Sequence, residues 1–207
     1  MSDADRRRWD DKYVNQGSAD VRIVALPTVF VRYADEFPTA ANALDIACGQ
    51  GATSVWLARR GLRVVGLDAS PVAISQARDL ADRSGVHDRC RFSVVDLDDG
   101  LPAGEPMDAI VCHRFRAPQA YPAIVERLAP GGLLAISVLS EVGADPGPYR
   151  ASPGELSAAF AELDLIAEGE GDGVAWLMAR RLGDRLSTPA DTGSPRYPRS
   201  CDGLWRG

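Results

Sequence analysis

Short apolar runs rich in β-branched residues alternate along the chain with longer stretches in which apolar residues recur at helical spacing. Helix-spaced segments such as VAISQARDLADRSG and QAYPAIVERL separate the runs. Strict alternation of strand and helix predicts an α/β fold, with a mostly parallel sheet and helices on both of its faces. The apolar runs lie at residues 43–47, 62–68, 90–96, 108–112, 132–139, 164–169 and 174–180.

Capping and turn residues support these boundaries of the predicted elements. Ser70 and Pro71 form an N-cap and first-turn pair, and SPGE at 152–155 is typical of a capping box with proline at the first helical position. Gly131 and Gly132 mark the turn from a helix into the next strand. The last two runs are joined through EGEGDG, so we expect a hairpin that ends in an antiparallel C-terminal edge strand.

The pattern divides the chain into three regions. Residues 1–40 carry two charged, aromatic-bearing helix candidates, RRRWDDKYV and PTVFVRYADEF, and we expect an N-terminal helical cap across the open edge of the sheet. Residues 41–182 hold the alternating core. Residues 183–207 are rich in Pro, Ser, Gly and Thr without a period, which predicts a mobile tail. Docking of that tail through Tyr197 or Trp205 is the alternative.

Composition narrows the classes of function. The chain has 207 residues, of which 45% are hydrophobic, and this fits one globular domain. Its formal net charge of -6 disfavours a nucleic-acid partner, because neutralising phosphates requires a basic face. No apolar run approaches the roughly 18 residues that span a bilayer, and the N-terminus has no apolar signal-peptide core. We therefore expect no membrane partner and a cytoplasmic location.

The four cysteines, Cys48, Cys90, Cys112 and Cys201, form no CxxC pair. Three of them lie in or beside apolar strand-like segments, which is typical of buried thiols in a reducing compartment. We therefore expect neither a disulfide framework nor a metal site.

The turn after the first strand, DIACGQG at 45–51, is the first candidate site. Ligands of open parallel sheets bind beyond the carboxyl ends of the strands, and Gly49 and Gly51 let the backbone approach a ligand there. A dinucleotide loop would have a third glycine where Ser54 stands, and its pyrophosphate would meet the carboxylate of Asp45. A cationic ligand such as S-adenosylmethionine tolerates that carboxylate.

Two further aspartates follow the next two strands. Asp68 ends LRVVGLD, where a carboxylate can accept hydrogen bonds from both hydroxyls of a ribose. Asp96 ends FSVVD, where a carboxylate can accept a hydrogen bond from an adenine amino group while Leu97 lies on the ring. Each aspartate alone is more often a helix cap or a solvated loop residue. Together with Asp45, they favour a cofactor site.

The chain resembles the class I S-adenosylmethionine-dependent methyltransferases. The resemblance covers about residues 42–180, through ALDIACGQGATSVWLARRG, VVGLDASPVAISQAR, FSVVDLDDG, MDAIVCHRF and LAPGGLLAISVL. It implies a Rossmann-like, seven-stranded sheet and S-adenosyl-L-methionine as cofactor. The chain looks most like the small, single-domain, tellurite-resistance-type members, which begin with a tryptophan-bearing helix comparable to RRRWDDKY. The cofactor-binding residues that we expect from these motifs are Asp45, Ala47, Gly49, Gly51, Asp68, Ala69, Asp96, Leu97 and Cys112.

His113 follows the fourth strand, and in this family that turn faces the transferring methyl group. Nucleobase amino methyltransferases carry an NPPY-like segment there, whereas this chain has CHRF, which disfavours nucleobase methylation. No carboxylate cluster follows Asp108, so the metal-dependent catechol type is not indicated. His113 is our candidate general base for a hydroxyl acceptor. A loop histidine that only holds the turn is the alternative. The flanking Arg114 and Arg116 would keep the imidazole neutral, or could bind an anionic acceptor.

The acceptor pocket should form around that turn. Trp9 and Tyr13 lie at i and i+4, so packing of their helix on the core is an equally good interpretation. The other candidates are Lys12, Arg114, Phe115, Glu141, Tyr149 and Arg150.

These residues predict O-methylation of a small polar acceptor, such as a sugar or short oligosaccharide, with His113 as base. S- or N-methylation of a small soft nucleophile, such as a thiol or a chalcogen oxyanion, is one alternative. A non-catalytic adenosylmethionine-binding role is another. The imperfect glycine pattern disfavours an NAD-dependent oxidoreductase.

Overall fold

The computed structural model describes residues 3–183. Five α-helices are present there: α1 (Asp3–Gln16), α2 (Ala52–Arg59), α3 (Pro71–Arg83), α4 (Tyr121–Arg127) and α5 (Glu155–Ala159). The strands are β1 (Asn42–Ile46), β2 (Arg63–Asp68), β3 (Cys90–Val94), β4 (Met107–His113), β5 (Leu128–Ser140), β6 (Arg150–Ala151), β7 (Asp164–Gly171) and β8 (Val174–Arg180). Short 3-10 helices cover Val21–Ile23, Thr28–Glu36, His87–Arg89, Leu97–Asp99 and Pro118–Ala120. The tail predicted for residues 183–207 lies, except for Gly183, outside the described residues.

The strands form one sheet in the order β3-β2-β1-β4-β5-β8-β7, and the two-residue β6 pairs with β5 beside this path. All pairings are parallel except those of β8, which runs antiparallel to both β5 and β7. This confirms the predicted Rossmann-like fold with its antiparallel C-terminal strand. That strand lies one position inside the edge, which β7 occupies. Burial explains the order, because β8 is mostly buried whereas β7 is mostly exposed or half-buried.

Helices cover both faces of the sheet, as the alternation predicted. One face packs against α2, α3 and the 3-10 segment Thr28–Glu36, with Phe30 and Leu57 fully buried there. The other face packs against α4 and α5, through Ile124 and Phe160 among others. Burying both faces requires continuous apolar segments, which is the reason for the apolar runs at 109–112 in β4 and 132–136 in β5.

The N-terminal region contributes to two different places. Helix α1 lies against α3 and the turn after β1: the side chain of Gln76 in α3 donates to the Tyr13 carbonyl over 3.1 Å, and that of Gln50 in the turn donates to the Gly17 carbonyl over 2.6 Å. The 3-10 segment Thr28–Glu36 packs on the face that holds α2 and α3. The first of these positions puts α1 directly over the region where an open α/β sheet binds its ligand.

None of the helices in the described part of the chain combines the length and the apolar character needed to cross a bilayer.

Candidate cofactor and acceptor site

A cavity of about 530 Å³ lies between α1 and the carboxyl ends of the strands. Its volume is within the range of small-molecule and cofactor sites. The walls come from the turns after β1, β2, β3 and β4, from the end of β5, and from α1 as a roof. The lining residues are Trp9, Lys12, Tyr13, Ala19, Asp45, Ala47, Cys48, Gly49, Gln50, Ala52, Thr53, Asp68, Ala69, Ser70, Asp96, Leu97, Asp98, His113, Arg114, Phe115 and Leu139.

The turn after β1 is built from left-handed backbone. Ala47, Gly49 and Gly51 have φ of 55°, 52° and 81°, a region that glycine adopts without strain and alanine does not. A side chain at Gly49 would lie 3.0 Å from the Tyr13 hydroxyl, and one at Gly51 would lie 2.8 Å from Cβ of Ala77. Gly49 therefore gives the cavity its space. Gly51 does not line the cavity and instead permits close packing of α3 against the start of α2.

Asp45 is a buried carboxylate at the end of β1. Only 2% of its surface is exposed, and the hydroxyl of Ser54 donates to its Oδ2 over 2.6 Å. Burial raises the pKa of Asp45 to about 7, against the lowering effect of the Ser54 hydrogen bond, and the nearby charge of Asp68 adds to the rise. A positive ligand group would remove this penalty, and an anionic one would increase it.

Asp68 organises the turn after β2. Its two carboxylate oxygens accept hydrogen bonds from the backbone N–H groups of Gly49 and Ser70, each over 2.9 Å. Burial raises the pKa of this carboxyl, and the backbone hydrogen bonds lower it in part. Ser70 in turn caps α3 by accepting from Ala73 N, and its hydroxyl contacts the carboxylate of Asp10 in α1. Asp68 lines the cavity, and because a carboxylate has about four lone-pair sites it can still accept hydrogen bonds from a ribose.

The turn after β3 carries Asp96 and Leu97. Asp96 accepts from the backbone N–H of Asp98 over 3.1 Å and lies 3.5 Å from the guanidinium of Arg6 in α1. Leu97 is 4% exposed and provides an apolar wall. The three aspartates therefore meet at one cavity, where the sequence predicted a cofactor site.

Helix α1 closes the cavity from above with Trp9, Lys12 and Tyr13. The two aromatic rings stack with centroids 6.2 Å apart, and the Lys12 ammonium lies 4.3 Å from the Trp9 ring centroid. Burial raises the pKa of the Tyr13 phenol, and the charge of Asp68 raises it further. Tyr13 thus faces the cavity as a neutral hydroxyl at physiological pH.

His113 ends β4 and lines the cavity. Its Nδ1 lies 2.6 Å from the hydroxyl of Ser137, which is fully buried directly opposite it on β5. Burial lowers the pKa of His113 to about 4, and the charge of Arg114 lowers it further. The imidazole is therefore neutral at pH 7 and held by one ring nitrogen.

The loop after His113 is fixed by an ion pair. The guanidinium of Arg116 donates two hydrogen bonds to the carboxylate of Glu155, over 2.8 Å and 2.7 Å, and the Tyr121 hydroxyl lies 3.3 Å from the same carboxylate. Glu155 begins α5, so the pair connects the β4 loop to that helix. Bidentate geometry restrains both side chains.

Four other predicted site residues lie outside the cavity walls. Cys112 is buried on the α4 and α5 face, with its thiol 3.4 Å from the Phe115 carbonyl. The guanidinium of Arg150 donates to the carbonyls of Ser140 and Gly173. Tyr149 is exposed, with the Arg8 guanidinium 5.7 Å from its ring centroid. Glu141 is half-buried beside β6, where its N–H bonds to Ala151.

Sequence reasoning missed two serines that hold candidate site side chains. Ser54 and Ser137 are buried and bond to Asp45 and His113 respectively. A signal existed for Ser137, because it interrupts the otherwise apolar run GLLAISVL. Buried hydroxyls need hydrogen-bond partners. Within residues 3–183, no group of three or more His, Cys, Asp and Glu side chains is arranged to hold a metal ion.

Fold and site together define an α/β protein with a cavity at the topological switch point between β1 and β4, where open α/β sheets bind their ligands. The side chains that line the cavity fit S-adenosylmethionine. Asp45 and Asp68 are buried carboxylates that disfavour a pyrophosphate and favour the ammonium and sulfonium groups of that cofactor. Gly49 leaves space beside them that a side chain would fill.

Comparisons with known proteins agree with this class. Residues 43–132 match the family described as methyltransferase domain. The chain is 40% identical over 102 residues to the ubiquinone biosynthesis O-methyltransferase of Cereibacter sphaeroides, covering 47% of this chain and 40% of that protein. It is 32% identical over 105 residues to the ribosomal protein L11 methyltransferase of Photobacterium profundum, covering 49% and 35%. The chain thus spans little more than a third of the length of these two relatives.

Solved structures share the fold. TehB from Haemophilus influenzae superposes with a TM-score of 0.68 at 18% identity, over 84% of this chain and 67% of that one. The N-methyltransferase NodS from Bradyrhizobium japonicum, in complex with S-adenosyl-L-homocysteine, gives 0.64 at 19%, over 84% and 98%. The match over residues 43–132 and the shared fold support a class I S-adenosylmethionine-dependent methyltransferase, a family whose cofactor is S-adenosyl-L-methionine.

Proposed function

We propose that the chain transfers a methyl group from S-adenosyl-L-methionine to a hydroxyl of a small polar acceptor. The observation that carries this proposal is the position of His113, on the wall of the same cavity as Asp45, Asp68 and Asp96. The polar side chains of Lys12, His113 and Arg114 on the cavity wall could hydrogen-bond a sugar-type acceptor or short oligosaccharide. A cytoplasmic location and the absence of a nucleic-acid partner stay predictions.

In this proposal, Asp45, Asp68 and Asp96 hold the cofactor, with Ala47, Gly49, Ala69 and Leu97 shaping the space around it. When bound, S-adenosylmethionine supplies an electrophilic methyl group on a sulfonium. The protein contributes mainly by placing the acceptor oxygen in line with that methyl group, at about 3 to 3.5 Å. Trp9 and Tyr13 close the cavity and restrict water.

His113 accepts the proton that the hydroxyl loses. For Nε2 to accept, Nδ1 must carry the ring hydrogen and donate it to Ser137 Oγ, which lies 2.6 Å away. The opposite tautomer, with Ser137 donating to Nδ1, would make Nε2 a donor and remove the base. Because the pKa of His113 is lowered to about 4, the ring stays unprotonated at neutral pH.

The test replaces His113 with glutamine, and replaces His87, an exposed residue far from the cavity, as the matched control. Transfer of radiolabelled methyl groups to a panel of hydroxylated small molecules should fall by roughly 100 to 10,000-fold in His113→Gln, the range of general-base contributions. His87→Gln should retain full activity. Calorimetric affinity for S-adenosylhomocysteine should be unchanged in both variants. Full turnover in His113→Gln would remove the base assignment.

The same lowered pKa of His113 favours a second candidate, because a base of pKa about 4 is weak. Thiols and chalcogen oxyanions are nucleophiles that need little base. If the chain methylates these, turnover should be insensitive to His113→Gln and should follow the pKa of the acceptor. Tight S-adenosylhomocysteine binding without turnover of any acceptor would instead indicate a non-catalytic binding protein.

A further inference from the structure

Charged side chains of both signs line the cavity. The ends of β1, β2 and β3 present the carboxylates of Asp45, Asp68 and Asp96. The cationic side chains among the described lining residues are Arg114, after β4, and Lys12, in the roof. Arg114 is therefore the lining cation that adjoins His113 in the chain.

A left-handed backbone conformation turns Arg114 toward the cavity. Successive side chains of an extended strand point to opposite faces, so His113 and Arg114 should not share a wall. Arg114 has φ of 56°, and its N–H is fixed to the Ser137 carbonyl over 2.8 Å. This conformation is strained for any residue with a side chain, and such strain concentrates at functional sites. It brings two adjacent side chains to one cavity.

Arg114 differs from its neighbour Arg116. The guanidinium of Arg116 is bonded through two hydrogen bonds to Glu155. Among residues 3–183, no carboxylate forms an ion pair with Arg114, which is exposed at the cavity mouth. A guanidinium in this position is suited to two parallel hydrogen bonds with a planar anion.

We infer that the methyl acceptor is a hydroxy acid, whose carboxylate binds Arg114 while its hydroxyl faces His113. The inference rests on the proposed function and names the acceptor class. It has a chemical consequence, because the charge of Arg114 is one of the two causes that lower the pKa of His113. A bound carboxylate offsets that charge, so the acceptor itself would make His113 a stronger base.

The experiment measures binding and does not depend on turnover. The full chain is saturated with S-adenosylhomocysteine and titrated with two matched pairs of probes, 4-hydroxybenzoate against 4-hydroxybenzamide and glycolate against glycolamide. Within each pair only the carboxylate is changed to a neutral amide. Arg114→Gln is compared with Arg59→Gln, which removes the same charge at the exposed end of α2.

In the wild type and in Arg59→Gln, at least one carboxylate should bind about tenfold more tightly than its amide, the effect of one charge-assisted pair. In Arg114→Gln this preference should fall below about twofold, as expected once that pair is removed. Affinity for S-adenosylhomocysteine should be the same in all three proteins.

Three results would overturn the inference. The first is that neither carboxylate binds better than its amide, which includes the case in which no probe binds. The second is a preference that survives in Arg114→Gln. The third is weaker S-adenosylhomocysteine binding in Arg114→Gln, because Arg114 would then contact the carboxylate of the cofactor. Failure of the wild type to bind S-adenosylhomocysteine would instead overturn the proposed function itself.

Discussion

Asp45 should destabilise the ligand-free protein at neutral and alkaline pH. Its pKa is raised from 3.8 to about 7, chiefly by burial. Each pKa unit corresponds to 1.36 kcal/mol, so ionised Asp45 should lower the free energy of unfolding by about 4 kcal/mol. The sign follows from proton binding: between the two pKa values the folded state holds the proton and the unfolded state does not, so stability falls as pH rises from about 4 to 7.

Asp45→Asn should remove this pH dependence. Urea denaturation without cofactor, at pH values from 5 to 8, gives the free energy of unfolding of both proteins. The free energy of unfolding of Asp45→Asn minus that of the wild type should increase by about 3 kcal/mol from pH 5 to pH 8. This is the part of the cost of ionising Asp45 that develops above pH 5. Asp164→Asn, at an exposed carboxylate, should show no such growth. A constant difference between Asp45→Asn and wild type would refute the buried-carboxylate argument.

Three further experiments test other parts of the structure. Ser137→Ala should leave S-adenosylhomocysteine affinity unchanged but lower turnover, and nitrogen-15 spectra should show His113 shifting from the Nδ1–H tautomer to a mixture. Gly66→Ala would place Cβ 2.5 Å from Phe92 and should cost about 1 to 3 kcal/mol in urea denaturation, whereas Gly147→Ala, with 3.9 Å to its nearest neighbour, should be neutral. A double-mutant cycle of Arg116→Gln and Glu155→Gln should give a coupling of about 1 kcal/mol. Because Arg116 lowers the pKa of Glu155, that coupling should vanish as acid protonates the carboxylate.

The fold was predictable from the sequence because its signals are local. Each buried strand is a short β-branched run, and Ser70 caps α3 as its position before Pro71 indicated. The order of the last two strands was not predictable in this way. It depends on which strand, β7 or β8, buries more surface against β5, and both read as apolar runs in the sequence.

The convergence of Asp45, Asp68 and Asp96 on one cavity was also predictable, because parallel strands bring their carboxyl ends to one edge and these residues follow three such ends. The arrangement of the arginines was not. Arg114 faces the cavity because its own backbone is left-handed, and Arg150 does not because its guanidinium is bonded to backbone carbonyls. Neither feature has a local signal in the sequence. The pairing of His113 with Ser137 depends on strand register, which no local pattern specifies.

Two charged residues, Asp45 and Arg114, lower the stability of the ligand-free protein, and each carries a charge that a bound ligand would offset. Among residues 3–183, Asp45 is a buried carboxylate with one side-chain donor, the Ser54 hydroxyl, and a cationic cofactor would offset its charge. Arg114 has a strained backbone, and its guanidinium lies near the neutral imidazole of His113. An anionic acceptor would offset the charge of that guanidinium. Ligands that bind only the folded state raise its stability by mass action. Cofactor and acceptor should therefore each raise the melting temperature, and Asp45→Asn should reduce the effect of the first while Arg114→Gln reduces that of the second.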